Sequence, residues 1–186
     1  WGRETLEEEH RFLFDLCEAE IPVCVPLRFE GESVRESEDF FYAVWPRTGG
    51  RSPDEYRDDE VGTLGRLLAR VHNVGAAREA PHRDRLDAAT AGLQPLAELE
   101  AGPLPAHLVG RFRSAVERAS AIYAEQLADV PLHRIHGDCH AGNLLRGDAG
   151  WFLLDFDDFV VGPAVQDVWM LFPGRDAEGA RQRALA

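Results

Sequence analysis

Between positions 136 and 158 the chain places His136, Asp138, His140, Asn143, Asp155, Asp157 and Asp158. They interrupt apolar runs, Leu144-Leu145 and Phe152-Leu153-Leu154. A carboxylate buried without a partner is costly, so acids set at the mouth of an apolar hairpin imply a use. Phosphoryl transfer requires three protein-side groups. One carboxylate orients the acceptor hydroxyl and takes its proton. An oxygen ligand from the same loop holds magnesium, and a second carboxylate holds it against the nucleotide phosphates. Magnesium favours hard oxygen ligands, one or two carboxylates with waters and phosphate oxygens completing the shell. Asp138, Asn143 and Asp155 fit the three roles in that order, with ATP and Mg2+ as the implied cofactors.

Other readings of the cluster are weaker. His133, His136, Cys139 and His140 are spaced too tightly for the usual tetrahedral zinc patterns, which draw ligand pairs from separate segments. His136 reads as a loop brace. His140 either touches phosphate or braces Asp138. A reactive cysteine needs a lowered pKa, so the inert reading of Cys139 is favoured. Asp157 and Asp158 also suit turn or capping positions.

The elements that must position these groups follow from periodicity. Residues 5–18 read as a helix, with Leu6, His10, Leu13 and Cys17 on one face and Thr5 as N-cap. The run Glu7-Glu8-Glu9 ordinarily marks a solvated face. Pro22 and Pro26 bracket an extended segment. Short strands are expected at 27–31 and 33–36 around Glu30-Gly31, and a stronger one at 40–45. Gly49-Gly50 then forms a connector. Ser52-Pro53-Asp54-Glu55 reads as a capping box opening a helix that carries Val61, Leu64, Leu67, Leu68 and Val71. Residues 76–105, rich in Ala, Pro and Arg, hold one weak helix. Residues 106–127 form another, with Leu108, Phe112, Ala115, Val116, Ala119 and Ile122 along one face. A hairpin spans 143–155 around Arg146 to Gly150, and a last helix covers 163–172. Strands first and helices afterwards predict an α+β chain.

Composition narrows the partners. The chain has 186 residues and is 45% hydrophobic, enough for one domain or a piece of a larger one. Its net charge of −13 repels nucleic-acid phosphates and anionic lipid, so neither nucleic acid nor membrane is expected as a partner. All 20 basic residues are Arg, and there is no Lys. Three scattered cysteines make no disulfide framework. A cytoplasmic monomer is expected. The chain opens on Trp1 rather than Met and closes in an Ala/Arg-rich, helix-like stretch, so both ends look cut.

The interval of five residues between Asp138 and Asn143 equals that between base and Asn in the protein-kinase catalytic loop. The stretches His136-Gly-Asp-Cys-His-Ala-Gly-Asn143, Asp155-Phe-Asp-Asp158 and Gly162-Pro-Ala-Val-Gln-Asp-Val-Trp-Met170 together resemble the aminoglycoside phosphotransferase and choline kinase superfamily, and within it the bacterial stress response kinase A group. Leu6-Glu-Glu-Glu-His10, and Phe41-Tyr-Ala-Val-Trp-Pro46 with Gly49-Gly50-Arg51, are similar to that group too, whereas residues 76–130 carry little of the likeness.

The resemblance implies a protein-kinase-like two-lobe fold: a truncated N-terminal lobe at 1–48 with the hinge at 45–50, and a mostly helical catalytic lobe at 49–186 containing a catalytic β-hairpin. It implies Asp138 as base, Asn143 and Asp155 as magnesium ligands, and Glu9 as the helix glutamate that pairs with a nucleotide-binding lysine. Trp45 to Thr48, including Arg47, would be the hinge that meets adenine. Asp167 would brace the catalytic loop, and His140 would lie near phosphate. The implied activity is transfer of the ATP γ-phosphoryl group to a Ser or Thr hydroxyl of a protein. A small hydroxyl acceptor such as an aminoglycoside or choline is the alternative, and the acidity of the chain suits a cationic one. A third reading is a non-catalytic nucleotide-binding module. Two departures bear on it: no Lys is present, and no Gly-rich loop precedes Glu9. The expectation is that residues before Trp1 and after Ala186 are missing, and that this chain alone is impaired.

Overall fold

The computed structural model describes residues 2–148 and 150–186. Helix α1 (Arg3–Glu18) packs Phe12, Leu13 and Leu16 into the core. Its N-cap is Gly2, so Thr5 lies inside the helix instead of capping it. Glu8 and Glu9 are buried along with His10, contrary to the solvated-face reading of the acidic run. Strands β1 (Arg35–Ser37) and β2 (Phe40–Tyr42) pair antiparallel and only with each other. Of the two strands expected around Glu30-Gly31, the one at 33–36 survives shifted as β1, and the one at 27–31 is reduced to a single bridge, Phe29 to Glu32, across a turn with positive φ at both central residues. A lone two-stranded ribbon has little to stabilise a longer ladder. Residues 43–50 carry neither helix nor strand.

Helix α2 spans Asp58–Ala76. It does not begin at Ser52, because Arg51 exchanges both backbone hydrogen bonds with Arg146, at 3.1 and 2.9 Å, and this keeps the chain extended there. The capping acid is Glu60 instead. Its Oε2 accepts from the Arg57 amide at 3.0 Å, and its Oε1 lies 2.6 Å from Arg146 Nη1. A π-helical turn (Ala89–Leu93) runs into α3 (Gln94–Ala101), and α4 (Ala106–Leu127) follows. The apolar face predicted for α4 forms but is not buried: Leu108, Phe112 and Ile122 are exposed.

Two short pairs then assemble the site. Strand β3 (His133–Ile135) pairs with β6 (Val160–Gly162), and β4 (Leu144–Gly147) with β5 (Gly150–Leu153). Helices α5 (Val165–Leu171) and α6 (Ala177–Leu185) close the chain. The core joins Phe12 and Leu16 of α1 to Leu64, Leu68 and Val71 of α2, to Leu144 and Leu153 of the hairpin, and to Phe156 and Phe159. Arg134 ties these layers. It is 2% exposed, lies over the Phe12 ring, donates to Asp15 at 2.8 Å and to the Val74 carbonyl at 2.9 Å. A cation at the carboxyl end of α2 also suits the helix dipole. Gly75 is required where α2 meets β3, since a Cβ there would lie 2.0 Å from the Arg134 carbonyl oxygen. Among the described residues no helix is long and apolar enough to cross a membrane.

Candidate active site

Asp167, on α5, is fully buried, and both its oxygens are used. Oδ1 accepts from the Gly137 amide at 2.9 Å. Oδ2 accepts from the His136 amide at 3.0 Å and from His72 Nε2 at 2.8 Å. Two consecutive loop amides are thus fixed to one carboxylate, which holds the loop entering Asp138. Gly137 has φ +85°, and a Cβ there would stand 2.5 Å from the Asp158 carbonyl oxygen, so only glycine fits.

The Asp138 carboxylate is part-exposed, as an acceptor-facing base needs to be. Asn143 Nδ2 donates to the Asp138 carbonyl at 2.9 Å and lies 3.4 Å from Oδ2. His140 Nδ1 accepts from the Gly142 amide at 2.9 Å, so a neutral ring carries its proton on Nε2, which faces Asp138 Oδ2 at 3.4 Å. Of the two roles expected for His140, the structure displays the contact with Asp138.

Asp155 is placed by the peptide before it. The Leu154 amide donates to the Asn143 carbonyl at 2.9 Å, and the Leu154 carbonyl accepts from His136 Nε2 at 2.8 Å. The His136 ring itself is buried against Phe156, with centroids 4.4 Å apart. Clamped in this way, Asp155 takes φ +62°, the left-handed conformation that Asp tolerates better than most residues. Its carboxyl is raised above the ordinary carboxylate range, chiefly by burial and then by the charge of Asp157. Asn143 directs its Nδ2 at Asp138, so its Oδ1 is the atom that could take a metal, and the crowded Asp155 carboxylate would be relieved by a divalent cation. The pair fits a magnesium ion.

A cleft of about 490 Å³ opens beside Asp155. Glu9, Leu13 and Cys24 form one wall, and Trp45, Pro46 and Thr48 the rim. Leu145, Leu153 and Phe156 supply apolar surface. Arg47, expected in the hinge, is exposed and does not line the cleft. Cys24 Sγ donates to the Pro46 carbonyl at 3.2 Å and lies 2.9 Å from Thr48 Oγ1, which fixes the rim. The Glu9 carboxyl is pushed up to about 7 by burial, with the nearby Arg83 pulling it down and Asp157, Asp155 and Asp158 adding to the rise.

Cys139 is completely buried in the core and burial pushes its thiol up, in keeping with an inert residue. Among the described residues no three His, Cys, Asp or Glu side chains are arranged to hold a metal ion. Two residues beside the site, His72 and Arg83, belong to no motif in the sequence. The one signal for His72 is a histidine next to Val71 on a helix with an apolar face. Arg83 lies in the Ala/Pro/Arg-rich stretch, which offers no motif.

The sequence profile of the phosphotransferase enzyme family matches residues 1–185. Stress response kinase A of Escherichia coli (strain K12) is 36% identical over 184 residues, 98% of this chain and 56% of that protein. The serine/threonine protein kinase RdoA of Salmonella typhimurium is 35% identical over the same shares. The chain therefore spans a little over half the length of the curated relatives it matches. The fold is that of the amicoumacin kinase hAmiN, solved with AMP-PNP, Ca2+ and Ami (TM-score 0.76, 18% identity, 98% of this chain and 60% of that one). A microcompartment-associated aminopropanol kinase has a similar structure (TM-score 0.67, 20% identity, 98% and 64%).

Proposed function

The chain belongs to the phosphotransferase enzyme family, and from that premise we propose that it carries the catalytic half of an ATP- and magnesium-dependent kinase that phosphorylates Ser or Thr hydroxyls of proteins. The observation that carries this reading is the Leu154 peptide, held on one side by Asn143 and on the other by His136. It ties Asp155 to the loop of Asp138 and Asn143, bringing together the three groups that phosphoryl transfer needs.

Asp138 orients the acceptor hydroxyl and takes its proton. The Nε2–H of His140 and the amide of Asn143 keep that carboxylate in one rotamer, so its free lone pairs face the acceptor. Asn143 Oδ1 and Asp155 would hold magnesium, which when bound neutralises charge on the nucleotide phosphates. Leu145, Leu153 and Phe156 offer apolar surface for a base, and the 45–48 segment supplies a polar rim. Asp167 acts through the backbone, keeping the loop preorganised so that little reorganisation is required during reaction. We place the protein in the cytoplasm, acting as a monomer, with the two-lobe boundary at 48/49.

The name of one curated relative, a serine/threonine protein kinase, favours a protein acceptor. The net charge of −13 supports a second reading, a small cationic alcohol. The test is transfer of labelled γ-phosphate by the full-length protein to Ser/Thr polypeptides and, in parallel, to aminoglycosides and amino alcohols. Labelled polypeptide is expected. Label confined to the small acceptors would reassign the substrate, and label in neither would overturn the function.

A further inference from the structure

Arg83 is 6% exposed, in a segment that the catalytic motif does not include. Its Nε donates to the Phe159 carbonyl at 2.8 Å, its Nη2 to the Asp157 carbonyl, and its Nη1 to the Thr5 carbonyl at 3.4 Å. The guanidinium lies over the Phe159 ring, 4.0 Å from its centroid. The neighbouring His82 amide donates to Glu8 Oε2 at 3.1 Å. Residues 82 and 83 therefore grip α1 at Thr5 and Glu8, and with the same hand the turn that follows Asp155. The backbone behind them is anchored as well: the Leu86 amide donates to the Val161 carbonyl and the Val161 amide to the Asp84 carbonyl, both at 2.9 Å.

The two segments gripped each lead into the cleft, which Glu9 lines from α1 and Asp155 and Asp157 line from the turn. Thr5 is one helical turn before Glu9, and Asp157 and Phe159 stand two and four residues after Asp155. We infer that Arg83 is a positioning residue that sets the Asp155 carboxylate relative to the Glu9 wall, and so governs how well the site takes magnesium with nucleotide. Arginine is specific to the task. A planar guanidinium donates in several fixed directions at once and stacks on a ring, whereas a lysine ammonium is a point charge on a flexible stem. Residues that orient a metal ligand without touching the metal typically govern affinity or activity by roughly ten- to a hundred-fold.

The inference rests on Asp155 being a magnesium ligand, so the test reads binding as well as turnover. In the full-length protein, the Mg2+ concentration giving half-maximal thermal stabilisation in the presence of ADP would be measured for wild type, Arg83→Gln and Arg83→Lys. Arg83→Gln is expected to raise that concentration about ten-fold, and Arg83→Lys by a smaller factor, with the KM for the phosphoryl acceptor unchanged. A merely structural role would lower the melting temperature and leave the Mg2+ midpoint where it was; that result in either variant overturns the inference. Should Arg83→Gln fail to fold, Arg83→Lys decides alone. A wild-type protein that shows no Mg2+-dependent nucleotide binding would overturn both this inference and the proposed function. Normal binding in wild type with an unmoved midpoint in the variants overturns this one alone.

Discussion

The segment from β3 to α5 and the helix α4 answer the same question in opposite ways. Between His133 and Leu171 most of the buried polar groups are matched to partners: Asp167 takes three donors, and His136 and Asn143 brace the Leu154 peptide, while His133 Nε2 and His136 Nδ1 are buried without one. In α4 the side chains at Leu108, Phe112 and Ile122 are apolar and exposed, and only Ser120 is buried. The first region gets its rigidity from satisfied hydrogen bonds at low exposure, where leaving a donor unmatched is expensive. The second contributes little to the shared core. Stability and chemistry are therefore concentrated in the same residues, and substitutions in the two regions should differ sharply in effect.

The largest effect is expected at the centre of the network. Asp167→Ala leaves the amides of His136 and Gly137 without their acceptor and is expected to cost about 3–5 kcal/mol in chemical denaturation. A loss below about 1 kcal/mol would mean that the loop does not depend on it. Glu9 sharpens the comparison from the other side, because its burial outweighs the pull of the nearby Arg83. Its folded pKa stands near 7 against an ordinary 4.5, so the stability it contributes below about pH 4.5 is lost as pH rises through 7. Glu9→Gln removes that penalty. The variant is expected to exceed wild type in stability by roughly 2–3 kcal/mol at pH 8 and to match it near pH 4, as denaturation midpoints at the two pH values would show. His72→Phe deletes one donor to Asp167 while keeping a ring in place, and about 1.5–2 kcal/mol should be lost. Equal stability would show that the two loop amides alone suffice. At the bottom of the scale, Leu108→Ser and Phe112→Ser in α4 should each change stability by less than about 0.5 kcal/mol. A larger loss in either would mean that α4 is held by contacts of its own.

How far these regions could be read from sequence follows the same division. Asp138, Asn143 and Asp155 stood out because phosphoryl transfer would restrict residue type and spacing together, and Asp167 stood out through the resemblance; the structure sets Asp167 on the loop amides of His136 and Gly137. The hairpin was legible because Gly147 and Gly150 flank its turn between apolar runs. The partner of Asp167 was not, since His72 lies 95 residues away and only the fold brings it there. Arg83 was hidden for the same reason: its acceptors are backbone carbonyls, which any sequence possesses. Glu8 and Glu9 looked solvated beside Glu7 until α1 was placed against the 82–83 segment. Ser52 showed the signature of a cap, but the Arg51 to Arg146 pairing overrode it. The apolar period in α4 predicted a helix correctly and a buried face wrongly, because periodicity records a pattern and not what lies opposite it.

We propose that the Asp138 carboxylate is the base of the transfer, held by neighbours that do not need its charge in order to fold. The most direct measurement is phosphoryl transfer by full-length Asp138→Asn, taken together with its Mg2+-dependent nucleotide binding. The account predicts that binding persists while transfer falls by about 10²- to 10⁴-fold. Transfer at the wild-type rate in a variant that still binds nucleotide would contradict it.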